Sequence, residues 1–180
     1  MNLAAQMKFS DAEIKQLEKS LIIIYDTREK ENKHVTDYFD KRKIRYEKQT
    51  MKTGDYSAYL PKNPELGIMR DIYLNAVIER KNSVNELVQS IKNRTTFENE
   101  LIRGSKNPFL LLVEDGDGYK RILTGKYVSD YNQKALLGSL KSFEARYNFT
   151  TVFLDSKLTG NYIYFHFLYR AKELLKGGVI

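Results

Sequence analysis

The sequence predicts a single α/β domain built on a mixed central sheet. Continuous apolar segments typical of buried strands, such as residues 21–27 (LIIIYDT) and 108–114 (PFLLLVE), alternate with amphipathic helical segments. The chain has 180 residues, a suitable length for one domain, and 42% of them are hydrophobic, enough to bury a core. We divide it into an N-terminal helix, residues 1–20, and a main domain, residues 21–180.

Each element has its own local signal. Ser10 and Glu13 form a capping box before Ile14, Leu17 and Leu21, which recur at helical spacing. Similar spacing or caps predict helices within 34–43, 84–93, 97–105, 131–147 and 161–178. Further strands are predicted at 44–50, 55–61, 72–79 and 149–155, and the segment 115–121 (DGDGYKR) reads as a plain turn.

The composition excludes several classes of site. The chain has no Cys and two His, so disulfides, thiol nucleophiles and Cys-based zinc sites are excluded. A metal must then bind to carboxylates, which favours Mg²⁺ or Mn²⁺. The net charge of +7 is compatible with binding to nucleic acid or to an anionic membrane surface. We find neither a signal peptide nor a membrane span in the sequence and expect a cytoplasmic protein without membrane contact.

Acidic residues stand at strand ends or turns: Asp26, Asp55 and Glu79. Residues two apart on a strand share a face, so we expect Glu79 and Lys81 to point together, with Arg80 opposite. Carboxylates that hold a divalent ion, beside a lysine, suit hydrolysis of a phosphodiester. By spacing alone, an exposed salt bridge at a strand end explains the pattern equally well.

The wider order of motifs adds a family resemblance. DTRE (26–29), GDY (54–56) and VIERKNS (77–83) are followed by NPFLLLVE (107–114). This order resembles the XPF-type nuclease family, whose signature is GD…ERK followed three residues later by Asp. The resemblance implies a restriction-endonuclease-like fold for residues 21–180. It also implies a nuclease that cuts branched or flapped DNA, in repair or recombination, with Mg²⁺ or Mn²⁺.

The resemblance assigns a role to each matching residue. Asp55 and Glu79 correspond to metal ligands and Lys81 to the catalytic lysine. Asp26 corresponds to a further acid at the site, acting as a metal ligand through a water or a second ion. Arg28 and Arg80 belong to the same motifs and are expected to contact the substrate.

Two positions near these motifs leave alternatives open. Asn85 stands where the family signature has its last Asp, and the neighbouring Glu86 is expected to point elsewhere, as part of a capping box with Ser83. Asn85 brings no charge, so a non-catalytic DNA-binding or scaffold subunit is the alternative to a nuclease. Arg94 is either a substrate contact or a solvated loop residue.

The C-terminal segment is rich in aromatic residues. The run YIYFHFLY (162–169) is too apolar for a free helix surface, so it covers the sheet or forms the interface of a homodimer or heterodimer. The resemblance and the chain length together suggest a small stand-alone nuclease of the kind that a bacteriophage or mobile element encodes.

Overall fold

A computed structural model describes residues 7–178 as a mixed sheet with helices on both faces, as the sequence predicted. Within these residues the strands β1 to β7 are, in order, Ile22–Asp26, Arg45–Gln49, Tyr56–Leu60, Ile72–Tyr73, Val77–Lys81, Phe109–Val113 and Thr150–Phe153. The helices α1 to α7 are Asp11–Glu18, Lys33–Arg42, Val84–Lys92, Arg94–Gly104, Gly118–Thr124, Gln133–Tyr147 and Thr159–Gly177. Residues 1–6 of the predicted N-terminal segment, and 179–180, lie outside the described residues.

The strand directions decide where the strand ends meet. The sheet order is β2-β1-β3-β5-β6-β7, and β4 pairs with β3. Strand β3 is antiparallel to β1 and to β5, whereas β1–β2, β5–β6 and β6–β7 are parallel pairs. The carboxyl ends of β1 and β5 therefore lie at the same edge of the sheet as the start of β3.

The core lies on both faces of the sheet. On one face, helices α1, α2 and α7 pack against residues such as Ile23, Ala58 and Ile78. On the other face, helices α3, α4 and α6 cover the half formed by β5 to β7. Over β1 and β3 this second face buries only a small cluster, which consists of Ile22, Ile24 and Tyr59 with Met51 beside them.

Three local predictions differ from the structure. The strand predicted at 72–79 is divided into β4 and β5, because the pairing with β3 changes register: Tyr59 pairs with Tyr73, but Tyr56 pairs with Ile78, which leaves two extra residues between the pairs. The plain turn predicted at 115–121 leads into helix α5, which buries Ile122. Helix α4 begins at Arg94, three residues before the start predicted at residue 97.

The remaining elements follow their predictions. Helix α1 has the reciprocal Ser10–Glu13 capping box, and the C-terminal cap of α7 is Gly178, whose φ of 65° suits glycine. No helix within residues 7–178 has the length and apolar character needed to cross a membrane.

The central parallel strands should carry a large share of the stability. Leu111 in β6 is fully buried, so Leu111→Ala leaves a cavity and is expected to lower the free energy of unfolding by about 2–5 kcal/mol. Leu123→Ala is the matched control, because that leucine is 51% exposed, and its effect should stay within about 0.5 kcal/mol. Urea unfolding measures both, and an equal loss in the two variants would contradict the assigned core.

Candidate active site

The chain topology brings the predicted acidic residues to one edge of the sheet. Asp26 ends β1, Asp55 precedes β3 directly, and Glu79 lies near the end of β5. The Asp26 N–H donates to the carbonyl of Asp55 at 2.8 Å, and the Asp55 N–H donates to the carbonyl of Ile78 at 2.8 Å. These main-chain bonds hold the three strand ends next to one another.

The strand register places these side chains on the same face. Ile24 pairs with Ser57, and Tyr56 pairs with Ile78. Because side chains alternate along a strand, Asp26, Asp55, Glu79 and Lys81 share the face that α3, α4 and α6 cover farther along. The predicted orientation of Glu79 and Lys81 is confirmed, since the Lys81 ammonium lies 2.7 Å from a Glu79 carboxylate oxygen.

The Glu79–Lys81 pair is not an exposed salt bridge at a strand end. The side chains of Glu79 and Lys81 are only 13% and 9% exposed. Burial raises the pKa of Glu79, although Lys81 opposes the shift. Burial alone would lower the pKa of Lys81, but the neighbouring Glu79 outweighs it and raises that pKa, which keeps the ammonium charged.

A glycine turn fixes the position of Asp55. Gly54 has φ +74°, and a Cβ there would approach the Val77 Cβ to 3.0 Å, so the turn requires glycine. The Asp55 carboxylate accepts the N–H of Arg80 at 2.8 Å. Burial, together with the charge of Glu79, raises the pKa of Asp55 to about 8. Asp55 and Glu79 are therefore close enough for their charges to interact.

Asp26 and Arg28 form a second pair at the same edge. The buried Asp26 carboxylate accepts bonds from the Arg28 guanidinium at 2.7 Å and from the Met51 N–H at 2.7 Å. Burial would raise the pKa of Asp26, but these bonds outweigh it and lower that pKa. Arg28 remains 71% exposed, and the charges of Asp55 and Glu79 contribute to its raised pKa, after the bond to Asp26.

The Arg80 side chain lies on the opposite face of the sheet. The side chain is 4% exposed, and its guanidinium contacts Glu29 at 2.8 Å and Glu114 at 2.7 Å. Glu114 also contacts His34 at 2.6 Å. A phosphate would have to displace one of these carboxylates to reach Arg80, so the geometry does not favour the predicted substrate contact, which stays a prediction.

Arg94 begins helix α4 at the protein surface. Its guanidinium contacts Glu98 at 3.3 Å and lies 5.0 Å from the centre of the Phe143 ring, and the side chain is 53% exposed. The Arg94 side chain is therefore largely solvated, which agrees with the second of the two alternatives for this residue. Its role as a substrate contact stays a prediction.

Asn85 and Glu86 differ from their expected places. The Asn85 amide oxygen accepts the N–H of Val128 at 2.8 Å, on the exposed side of α3. Glu86 lines a cavity of about 240 Å³ with Lys81 and Glu100, and both glutamates contribute to the raised pKa of Lys81. Glu86 therefore points back towards the site, contrary to expectation.

The local reason for the Glu86 orientation is its helix start. The Ser83 hydroxyl accepts the Glu86 N–H at 3.2 Å, but the Glu86 carboxylate accepts the N–H of Asn82 rather than that of Ser83. The capping signal in the sequence identified the helix start correctly. It did not reveal Glu100, which reaches the same cavity from α4.

The donor set is suited to a weakly anchored hard cation. Within residues 7–178, no three His, Cys, Asp or Glu side chains are grouped so that they could hold a metal ion by themselves. Two carboxylates, those of Asp55 and Glu79, lie on the same face at this edge of the sheet. Mg²⁺ in phosphate-processing sites is usually bound by one or two carboxylates, with waters and substrate oxygens completing the shell, so these residues fit such an ion.

Comparison with solved structures identifies the fold. The chain is similar to XPF from Aeropyrum pernix, with a TM-score of 0.60 and 17% identity over 85% of this chain and 66% of that chain. XPF from Aeropyrum pernix in complex with DNA gives a TM-score of 0.59 and 17% identity over 84% and 66%. The chain thus spans just under two thirds of the length of either structure.

These likenesses confirm the restriction-endonuclease-like fold that the sequence motifs implied. No curated protein matches the chain in sequence. Residues 25–166, most of the chain, match the ERCC4 domain, and this stretch includes the DTRE, GDY and ERK motifs. The chain belongs to the ERCC4 domain family, the family of the XPF-type nucleases.

Proposed function

We propose that this protein is a metal-dependent DNA endonuclease that cuts branched or flapped DNA. The observation that carries the proposal is the group formed by Asp55, Glu79 and Lys81 on one face, at one edge of the sheet. Two neighbouring carboxylates beside a charged lysine suit hydrolysis of a phosphodiester.

Each residue has a defined part in the proposed reaction. Asp55 and Glu79 would hold Mg²⁺ or Mn²⁺, which polarises the phosphate and lowers the pKa of a bound water when present. Lys81 orients the attacking water or stabilises the negative charge that develops on the phosphate oxygens. Arg28 is largely exposed beside the carboxylates and would contact a neighbouring phosphate.

The role of Asp26 is less direct than that of Asp55. Its carboxylate already accepts bonds from Arg28 and Met51. We propose that the main role of Asp26 is to orient Arg28. Its second role would be to bind the metal through a water, or to bind a second ion.

DNA is the proposed substrate for two reasons. The net charge of +7 favours a polyanion, and a structure similar to this chain is XPF from Aeropyrum pernix in complex with DNA. The preference for branched or flapped DNA, in repair or recombination, rests on the family. We place this activity in the cytoplasm of a bacterial or phage-infected cell.

A non-catalytic DNA-binding or scaffold subunit is the alternative. It rests on Asn85, which stands where the family signature has an acid. Asn85 contacts Val128, whereas Glu86 lines the same cavity as Lys81 and its charge contributes to the raised pKa of Lys81. A negative charge therefore lies near the site despite the substitution. This arrangement favours the catalytic proposal.

We further propose that the chain pairs with a second copy through α7. Phe165 and Tyr169 are 41% and 58% exposed, one turn apart, and their rings stack with centres 6.3 Å apart. Leu158 beside the start of this helix is 52% exposed. Exposed apolar surface of this kind is typical of a protein interface.

Glu79→Gln is expected to lower metal-dependent cleavage at least about 100-fold, because a metal ligand loses its charge. The assay uses labelled flap, fork and four-way-junction DNA with Mg²⁺ or Mn²⁺. Glu65→Gln, which changes an exposed glutamate, is the matched control and should cleave like wild type. Equal cleavage by both variants would rule out this site, and no cleavage by the wild type would favour the scaffold alternative.

The raised pKa of Asp55 predicts a pH dependence of stability in the metal-free protein. The folded protein holds the Asp55 proton up to a pKa of about 8, whereas the unfolded chain releases it near 3.8. Unfolding therefore releases a proton in this window, and without metal this carboxyl makes the free energy of unfolding fall as the pH rises from about 4 to about 8. Asp55→Asn should lack this contribution, which urea unfolding in EDTA at a series of pH values measures.

A bound divalent cation should restore the stability that the metal-free protein loses at high pH. At pH 8.5, Mn²⁺ at about 100 times its dissociation constant should stabilise wild type by about 2.7 kcal/mol and leave Asp55→Asn nearly unchanged. Asp117→Asn, which changes an exposed aspartate, should respond like wild type. The same response to Mn²⁺ in Asp55→Asn would contradict the proposed ligand.

The dimer is tested by light scattering at micromolar concentration. Wild type should give twice the mass of the chain, and Phe165→Glu with Tyr169→Glu should give the monomer mass, because two charges cannot be buried unpaired in the interface. Val128→Glu, at a residue 78% exposed outside α7, should remain dimeric. A monomeric wild type would refute the pairing.

A further inference from the structure

A groove of about 680 Å³ lies beside the candidate site, on the same face of the sheet. Its floor consists of side chains from β1, β3 and β5, each two residues along its strand from a site carboxylate: Ile24, Ser57 and Val77. Two residues along a strand span about 7 Å, so the groove continues directly from the site. The groove is open to solvent because few side chains cover this face of the sheet over β1 and β3, where only a small cluster is buried.

The walls of the groove carry three basic residues. Lys52 comes from the β2–β3 loop, Arg103 from the end of α4, and Lys106 from the segment that follows α4. All three are exposed, and none forms an ion pair with another residue between 7 and 178. Among the residues of this range that line the groove there is no Asp or Glu. The cationic charge is therefore uncompensated, in contrast to that of Arg80 and Lys81.

An aromatic ring borders the same groove. Tyr73 stacks on Tyr59, with ring centres 5.1 Å apart and planes at 21°, and Tyr73 is still 56% exposed. One face of the ring is thus supported, and the open side can stack on a flat group. Nucleic-acid bases stack on such rings only when they are unpaired, because the bases of a duplex already stack on each other.

We propose that this groove binds a single strand of nucleic acid adjacent to the phosphodiester at the Asp55–Glu79 site. Phosphates contact the basic walls, which consist of Lys52, Arg103 and Lys106, and one unpaired base stacks on Tyr73. The inference rests on the proposed nuclease function and adds the reason for a preference for branched DNA: the single strand enters the groove where a duplex ends.

The test measures binding in EDTA, so that no cleavage occurs. The probe is a fluorescein-labelled twelve-nucleotide oligothymidylate, and the readout is anisotropy from about 50 to 200 mM salt. The combined variant Lys52→Ala, Arg103→Ala and Lys106→Ala should bind about tenfold or more weakly. Its slope of log affinity against log salt should be smaller by about 2, since each phosphate contact on a single strand contributes about 0.7.

Matched controls separate the groove from net charge. Lys15→Ala, Lys19→Ala and Lys41→Ala together remove three exposed charges from α1, the residue after it and α2, which pack on the other face of the sheet, and should bind within about twofold of wild type. Tyr73→Ala should weaken binding about fivefold or more, whereas Tyr73→Phe, which keeps the ring, should bind like wild type. Thermal melting checks that each variant is folded.

The outcomes distinguish this inference from the proposed function. Equal binding by the two triple variants overturns the groove and leaves the cleavage result untouched. If the groove triple variant loses as much affinity for a blunt duplex as for the oligonucleotide, the assignment to a single strand is wrong. It is also wrong if the wild type does not bind the oligonucleotide. Selective loss in the groove variant supports the groove even if no metal-dependent cleavage is found.

Discussion

The position of the site residues depends on the ion pairs of the buried Arg80 guanidinium. Its side chain is enclosed on one face of the sheet by Glu29, from the loop after β1, and by Glu114, at the end of β6. Its main-chain N–H, on the same residue, donates to the Asp55 carboxylate. One residue therefore connects the loop after β1, the end of β5 and the end of β6 with the position of Asp55.

A buried ion network of this kind acts mainly through geometry. The desolvation of Arg80 and its two carboxylate partners offsets much of their attraction, so the network adds little net stability. Removing one partner, however, leaves an unpaired buried charge, which is costly. We infer that the network keeps β5 in its register, and through β5 it keeps Glu79 and Lys81 opposite Asp55.

On the other face the charges are only partly balanced. Lys81 pairs with Glu79, and Arg28 pairs with Asp26. The Asp55 carboxylate forms no direct ion pair within residues 7–178; it accepts the Arg80 N–H, and the charge of Lys81 stabilises it from a greater distance. The raised pKa of Asp55 is the consequence. A divalent cation bound beside Asp55 would lower this pKa, and this effect links the geometry of the site to the proposed metal.

The sequence by itself determined the fold class, most of the elements and the pairing of Glu79 with Lys81. Those features follow from local periodicity, caps and side-chain alternation, which do not need distant parts of the chain. Only the tertiary structure decided that Arg80 is buried in ion pairs, that Glu86 and Glu100 face Lys81, and that Asn85 contacts Val128. Each of these depends on which strand or helix lies next to the residue. The parallel pairing of β5 with β6 brings Glu114 to Arg80, and the packing of α4 and α5 against α3 brings Glu100 and Val128 close. No local sequence pattern encodes these neighbours.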